Sequence, residues 1–161
     1  MLQLEKATPA DARTLMQICV QAFAEDIEQW GGPIGIDQVK AHLDWMKTYL
    51  YYRIVFDEKT VGGVLVDSQD DKHYVLSAMF IAPESQNQGL GTQAIRLLEE
   101  THPTATQWSL STAYSSHKSQ RFYERLGYVK VGETEPGGYP EISDKRFYLF
   151  LYEKKLDGPP Q

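Results

Sequence analysis

The run YVLSAMFI, residues 74–81, constrains the fold more than any other stretch of this chain. It is apolar at both alternating sets of positions, so neither face of the strand it forms can lie against water. Such a strand belongs in the middle of a sheet covered by helices on both sides. Ser77 is its one polar interior residue.

The flanking segments supply the covering layers. Residues 2–6, LQLEK, alternate like a short strand. In TPAD, Thr8 is placed to cap a helix that has Pro9 in its first position and Asp11 in its first turn. That helix is expected to run to about Glu28, where WGGPIGID interrupts it. Asp37 is placed to cap a second helix reaching about Tyr49, with Val39, Leu43, Met46 and Leu50 on its buried side. YYRIVF and TVGGVLVD, joined by the turn DEKT, read as a hairpin. Beyond the central strand, Leu90, Ala94, Leu97 and Leu98 form the apolar stripe of a helix over about 90–101. QWSLST is a strand, and residues 116–126 form a helix stopped by Gly127. YVKVGE and RFYLFLYEKKL are two last strands, separated by the irregular TEPGGYPEISD. This order predicts an α/β fold with a mixed, mostly antiparallel sheet of about seven strands and helices on both faces. A length of 161 residues fits one domain, expected over 1–155, with 156–161 as a disordered tail.

Charge and composition narrow the partners. A formal net charge of −6 argues against nucleic acid, whose binding depends on Lys and Arg neutralising phosphates. It mildly favours a cationic substrate through long-range steering. No apolar run is long enough to span a bilayer, and MLQLEKATPADA has no signal-like apolar core, so a cytoplasmic protein without a membrane partner is expected. The single cysteine, Cys19, shares a stripe with Leu15, Ile18, Ala22 and Phe23 and reads as a core thiol. His73 sits in the DDKH turn and is expected to be exposed, and His42, His102 and His117 have no metal-like partners, so no metal is expected.

Between the central strand and the helix at Leu90 lies ESQNQGLG. Bare backbone in front of a helix N-terminus is a natural anion site. A Walker-type loop would end in Gly-Lys-Ser/Thr, whereas Gly91 is followed by Thr92 and Gln93. Gly89-x-Gly91-x-x-Ala94 matches the dinucleotide fingerprint literally, but Gly89 lies well beyond Ile81 and residues 109–113, SLSTA, hold no carboxylate for a ribose.

Taken whole, Gln86-x-x-Gly89-x-Gly91 behind a strand and Ala-Pro resembles the Q/R-x-x-G-x-G/A signature of the GNAT acyltransferase superfamily. The later SSHKSQRFYERLGYVKVGE resembles that family's Phe-Tyr helix with its following Gly-Tyr and strand. The resemblance implies a GNAT-like fold and a single acetyltransferase domain that takes acetyl-CoA as acetyl donor. It implies that Gln86, Asn87, Gln88, Gly89, Leu90, Gly91 and Thr92 cradle the pyrophosphate. The backbone of Met79, Phe80 and Ile81 would pair with the pantetheine arm and polarise the thioester carbonyl. Tyr123 falls where the family often protonates the departing thiolate, with Phe122 as its packing neighbour.

Two departures accompany the resemblance. Ser116 and Ser119 stand where an asparagine commonly contacts the cofactor. The glutamate that family members often carry on the central strand as general base is absent, and Ser77 is no base at neutral pH. A water relay to Ser77 and a side chain from the first two helices are both open as routes for the amine proton. Glu25, Asp26 and Glu28 lie where family members line the acceptor site, and Trp30 is placed to wall it. The expected activity is direct acetyl transfer to a primary amine of a small molecule or peptide, with a homodimer left open. The alternative is a non-catalytic acyl-CoA sensor or partner-binding module.

Overall fold

The computed structural model describes residues 1–142 and 144–156, so the tail expected over 156–161 lies, apart from Leu156, outside the described residues. Strands β1 (Leu2–Lys6), β2 (Leu50–Phe56), β3 (Lys59–Ser68), β4 (His73–Ile81), β5 (Gln107–Ala113), β6 (Val129–Glu133) and β7 (Leu149–Lys155) form one sheet. Their order is β1-β2-β3-β4-β5-β7-β6, so the run at 74–81 does occupy the centre. Only β4 and β5 pair in parallel; the other neighbours are antiparallel. Helices α1 (Ala12–Ala22), α2 (Ala24–Trp30), α3 (Val39–Thr48), α4 (Leu90–Thr101) and α5 (His117–Arg125) provide the remaining layers.

The two larger of three hydrophobic clusters among the described residues lie on opposite faces of the sheet, the third being Ala113, Ile142 and Phe147. Leu90, Ala94, Ile95 and Leu98 of α4 pack with Val64, Val66 and Leu76, and Tyr123 of α5 joins them. On the other face Leu15 and Cys19 of α1 pack with Tyr51, Leu65 and Phe80. Cys19 is a core thiol as expected, and burial pushes its pKa up to about 12.

The helix expected through Glu28 is broken at Phe23, whose backbone leaves helical geometry at φ −97° and ψ 17°. Phe23 packs toward Phe80 with ring centroids 6.4 Å apart, and the break lets α2 turn away on its own course. Thr8 and Asp11 do cap, but a single 3-10 turn, Pro9–Asp11, precedes α1. There Asp11 Oδ2 accepts from the Thr8 N–H at 2.8 Å and from its hydroxyl at 3.1 Å. Gln38 rather than Asp37 takes the N-cap of α3, because the turn that closes with Gln38 N–H on Gly35 O ends one residue later.

The sheet has one feature that matters for the site. On β3, Leu65 faces Ala78 while Val66 faces Leu76, which leaves Ser77 without a partner as a β-bulge. One extra residue reverses the alternation. Thus Tyr74 and Leu76 join the α4 side, while Ala78 and Phe80 join the α1 side. Ser77, expected in the strand interior, is exposed for this reason.

Candidate active site

Strands β4 and β5 pair only at His73–Gln107, Tyr74–Trp108 and Val75–Ser109. Beyond the bulge they diverge, so β4 from Leu76 to Ile81 has a free edge. Ala82 N–H donates to Val61 O at 2.7 Å, and antiparallel pairs alternate between bonded and non-bonded. Phe80 and Ala78 therefore spend their main-chain groups on β3, and Met79 and Ile81 turn theirs toward the gap. The resemblance assigned Met79, Phe80 and Ile81 to one task; this alternation divides it, with Phe80 supplying packing. The Ile81 carbonyl is already taken, accepting from Gln86 Nε2 at 2.9 Å.

The same edge leads into the glycine loop. Asn87 and Gly89 have positive φ, 63° and 79°, and these two reversals coil the backbone in front of α4. Among the described residues, the main-chain N–H groups of Asn87, Gln88, Gly89, Leu90, Gly91 and Thr92 have no acceptor. The pattern resumes only with Gln93 N–H on Gly89 O at 3.1 Å. Six successive donors unpaired among the described residues, at the positive end of a 12-residue helix, could hold an anion without a lysine. Leu90 is buried and anchors the loop, while Thr92 is half-buried beside it. A Cβ on Gly91 would stand 3.1 Å from the Phe122 ring, so that glycine serves the contact between α4 and α5.

The gap opens into a cavity of about 440 Å³. From β4 it receives Ser77, Met79 and Phe80, and from α5 Ser119 and Tyr123, with Ser116 just before that helix. Spacing of three and four residues puts these α5 groups on one side. Phe122 turns instead toward Gly91, its ring 5.0 Å from Tyr123 in an edge-to-face contact. Burial raises the Tyr123 pKa well above the ordinary phenol value, so its hydroxyl stays protonated at any physiological pH. Among the described residues that hydroxyl has no hydrogen-bond partner, while the residue lines the cavity. A buried phenol of this kind can give a proton or a hydrogen bond to an anion formed beside it.

Helix α2 supplies the opposite wall. Asp26 Oδ1 accepts from Trp30 Nε1 at 3.3 Å and from the Ser116 hydroxyl at 3.1 Å. The Ser116 side chain, expected to contact a cofactor, is thus turned to Asp26. Glu25 and Glu28 are exposed and stay outside the cavity, because α2 presents only its Asp26–Trp30 side. Trp30 lies against Phe147 with ring centroids 4.5 Å apart. Phe147, Tyr139 and Glu141 come from the loop between β6 and β7, whose irregular sequence carried no periodicity to place it. Tyr51 was also missed. Its hydroxyl donates to His42 Nδ1 at 2.8 Å, while His42 Nε2–H donates to Ile36 O at 2.8 Å. On β5, the buried Thr112 hydroxyl has no partner among the described residues. No group of three His, Cys, Asp or Glu among the described residues could hold a metal ion, and no helix among them is long and apolar enough to cross a membrane.

This architecture is widely shared. Over its whole length the chain superposes on 97% of the ribosomal-protein-S18-alanine N-acetyltransferase of Escherichia coli with TM-score 0.79 at 18% identity. It superposes on 99% of the PaiA N-acetyltransferase of Thermoplasma acidophilum, solved with coenzyme A, with TM-score 0.77 at 13% identity over 97% of this chain. Among curated proteins it is 29% identical over 126 residues to the uncharacterized protein YrkN of Bacillus subtilis, covering 74% of this chain and 68% of YrkN. The sequence model of the acetyltransferase (GNAT) family matches residues 16–128, a span that contains the open edge of β4, the glycine loop and Tyr123. The chain belongs to the GNAT acetyltransferase family.

Proposed function

We propose that the protein transfers an acetyl group directly from acetyl-CoA to a primary amine of a small molecule or peptide. The observation that carries this reading is the course of β4: its open edge and a buried phenol line one cavity, and the same strand leads on into a loop whose six amides have no acceptor among the described residues. The amides of 87–92 bind the pyrophosphate, with the Thr92 hydroxyl adding a contact. The Met79 edge groups and the Ile81 N–H align the pantetheine arm, and a β4 N–H polarises the thioester carbonyl. The ammonium gives one proton to water and the neutral amine attacks the carbonyl carbon. A C–N bond forms, the nitrogen gives its second proton to water, the C–S bond breaks, and the Tyr123 phenol gives its proton to the leaving sulfur. Tyr123 regains a proton from solvent, so the balance is amide, free thiol and an unchanged enzyme.

Absence of a carboxylate on β4 is what favours the second reading, a non-catalytic acyl-CoA sensor. Calorimetry with acetyl-CoA and with NAD, followed by thiol release on a panel of amines, tests both. Acetyl-CoA binding with turnover on at least one amine supports the transferase. Binding without turnover across the panel favours the sensor, and preferential NAD binding overturns both.

A further inference from the structure

The acceptor side of the cavity carries charge of one sign. Among the described residues, Asp26 and Glu141 are its only acidic side chains, and no Lys, Arg or His lines it. The rest of that wall is apolar and largely aromatic. Phe23, Trp30, Trp45 and Tyr49 come from α2, α3 and the residues flanking the first three helices, Tyr139 and Phe147 from the β6–β7 loop, with aliphatic residues such as Ile34 and Ile36 between them. Resting on the transferase reading above, we propose that the acceptor is a primary amine on a compact aromatic body, without a carboxylate or phosphate group.

An ammonium is attracted into such a cavity from every side. The molecule's net charge of −6 steers it, and aromatic faces attract it when desolvated. Both donors to Asp26, Trp30 Nε1 and the Ser116 hydroxyl, fall on Oδ1. Oδ2 has no partner among the described residues and is available to an incoming cation. An acceptor that also carried a carboxylate would bring an anion out of water beside Asp26 and Glu141, with no cation to pair it. The 440 Å³ must hold the thioester end as well as the acceptor, which leaves room for a ring or short chain and little more.

Matched acceptors separate these possibilities. Thiol release from acetyl-CoA is measured with 2-phenylethylamine, with phenylalanine and with a tetrapeptide that begins in phenylalanine. The inference expects 2-phenylethylamine to lead in kcat/KM by at least about tenfold over each of the others, as like-charge placement and lost fit dictate. Asp26→Asn should raise KM for that amine several-fold while acetyl-CoA affinity by calorimetry stays unchanged. Equal or better use of phenylalanine overturns the absence of an anion, and equal or better use of the tetrapeptide overturns the compact body. Acetyl-CoA binding with no turnover of 2-phenylethylamine overturns the inference, and if another acceptor is used the transferase reading stands. Failure to bind acetyl-CoA at all overturns that reading itself.

Discussion

The Ser116 hydroxyl reaches Asp26 Oδ1 at 3.1 Å, tying the start of α5 to α2 across 90 residues of chain. One hydrogen bond thereby joins the helix that carries Tyr123 to the wall proposed to face the acceptor. Position of the Asp26 carboxylate depends on it, because among the described residues only Trp30 Nε1 holds the same oxygen otherwise.

Ser116→Ala should accordingly act on the acceptor and leave the cofactor alone. A hydrogen bond to a charged group contributes roughly 1.5–3 kcal/mol when buried, and this half-buried one belongs at the lower end. KM for the amine is expected to rise about three- to tenfold, with acetyl-CoA affinity unchanged by calorimetry. A loss of acetyl-CoA affinity instead would return Ser116 to the cofactor contact that the family resemblance implied.

The two loop glycines should fail for different reasons. Gly89 has φ 79°, where a β-branched side chain is strained, and nothing crowds its Cβ position closer than Gln93 Nε2 at 4.0 Å. Gly89→Val should distort the amide cradle itself. Gly91→Val should drive into the Phe122 ring at 3.1 Å and part α4 from α5. Each is expected to weaken acetyl-CoA binding by at least about tenfold. Only Gly91→Val should also disturb turnover of bound acetyl-CoA, through Phe122 and Tyr123. Wild-type affinity in either variant would assign the loop another job.

Much of this was legible in the sequence where periodicity or a motif carried it. The central place of β4 and the start of α4 at Leu90 follow from the sequence pattern. Ser77 was misplaced because a bulge adds a residue without any change in composition, and only the partner strand reveals the skipped register. The break at Phe23 escaped notice because no Gly or Pro marks it; packing against Phe80 sets it. Tyr139, Glu141 and Phe147 enter through an aperiodic loop, so proximity to Trp30 could be seen only in three dimensions.

Tyr123→Phe tests the acid for the leaving thiolate. The ring packing against Phe122 and Tyr128 survives, and only the proton donor is lost. General acid–base contributions run to about 10²–10⁴-fold, so kcat should drop by at least about tenfold. Melting temperature and acetyl-CoA affinity should barely move. Since burial raises the Tyr123 pKa above its ordinary 10.0, no alkaline decline in wild-type kcat below that pH should disappear in the variant. Unchanged kcat would remove Tyr123 from the mechanism.

His42 should make the acceptor wall sensitive to acid. It is fully buried, and desolvation lowers its pKa from 6.5 while the Ile36 carbonyl opposes that shift. The unfolded chain therefore takes up the proton more readily than the folded one. Stability from the neutral ring is complete above pH 6.5 and is lost as pH falls through the lowered folded value. His102, also lowered by burial, adds in the same direction. Protonation at Nδ1 would abolish the bond accepted from the Tyr51 hydroxyl, and Tyr51 and Ile36 both line the cavity. Melting temperature should thus decline between about pH 7 and pH 5, before most carboxylates titrate. KM for the amine should rise over the same interval. His42→Gln, which can still donate to Ile36 O, should flatten both trends whatever its absolute stability. Equal slopes in wild type and variant would show that some other group titrates there.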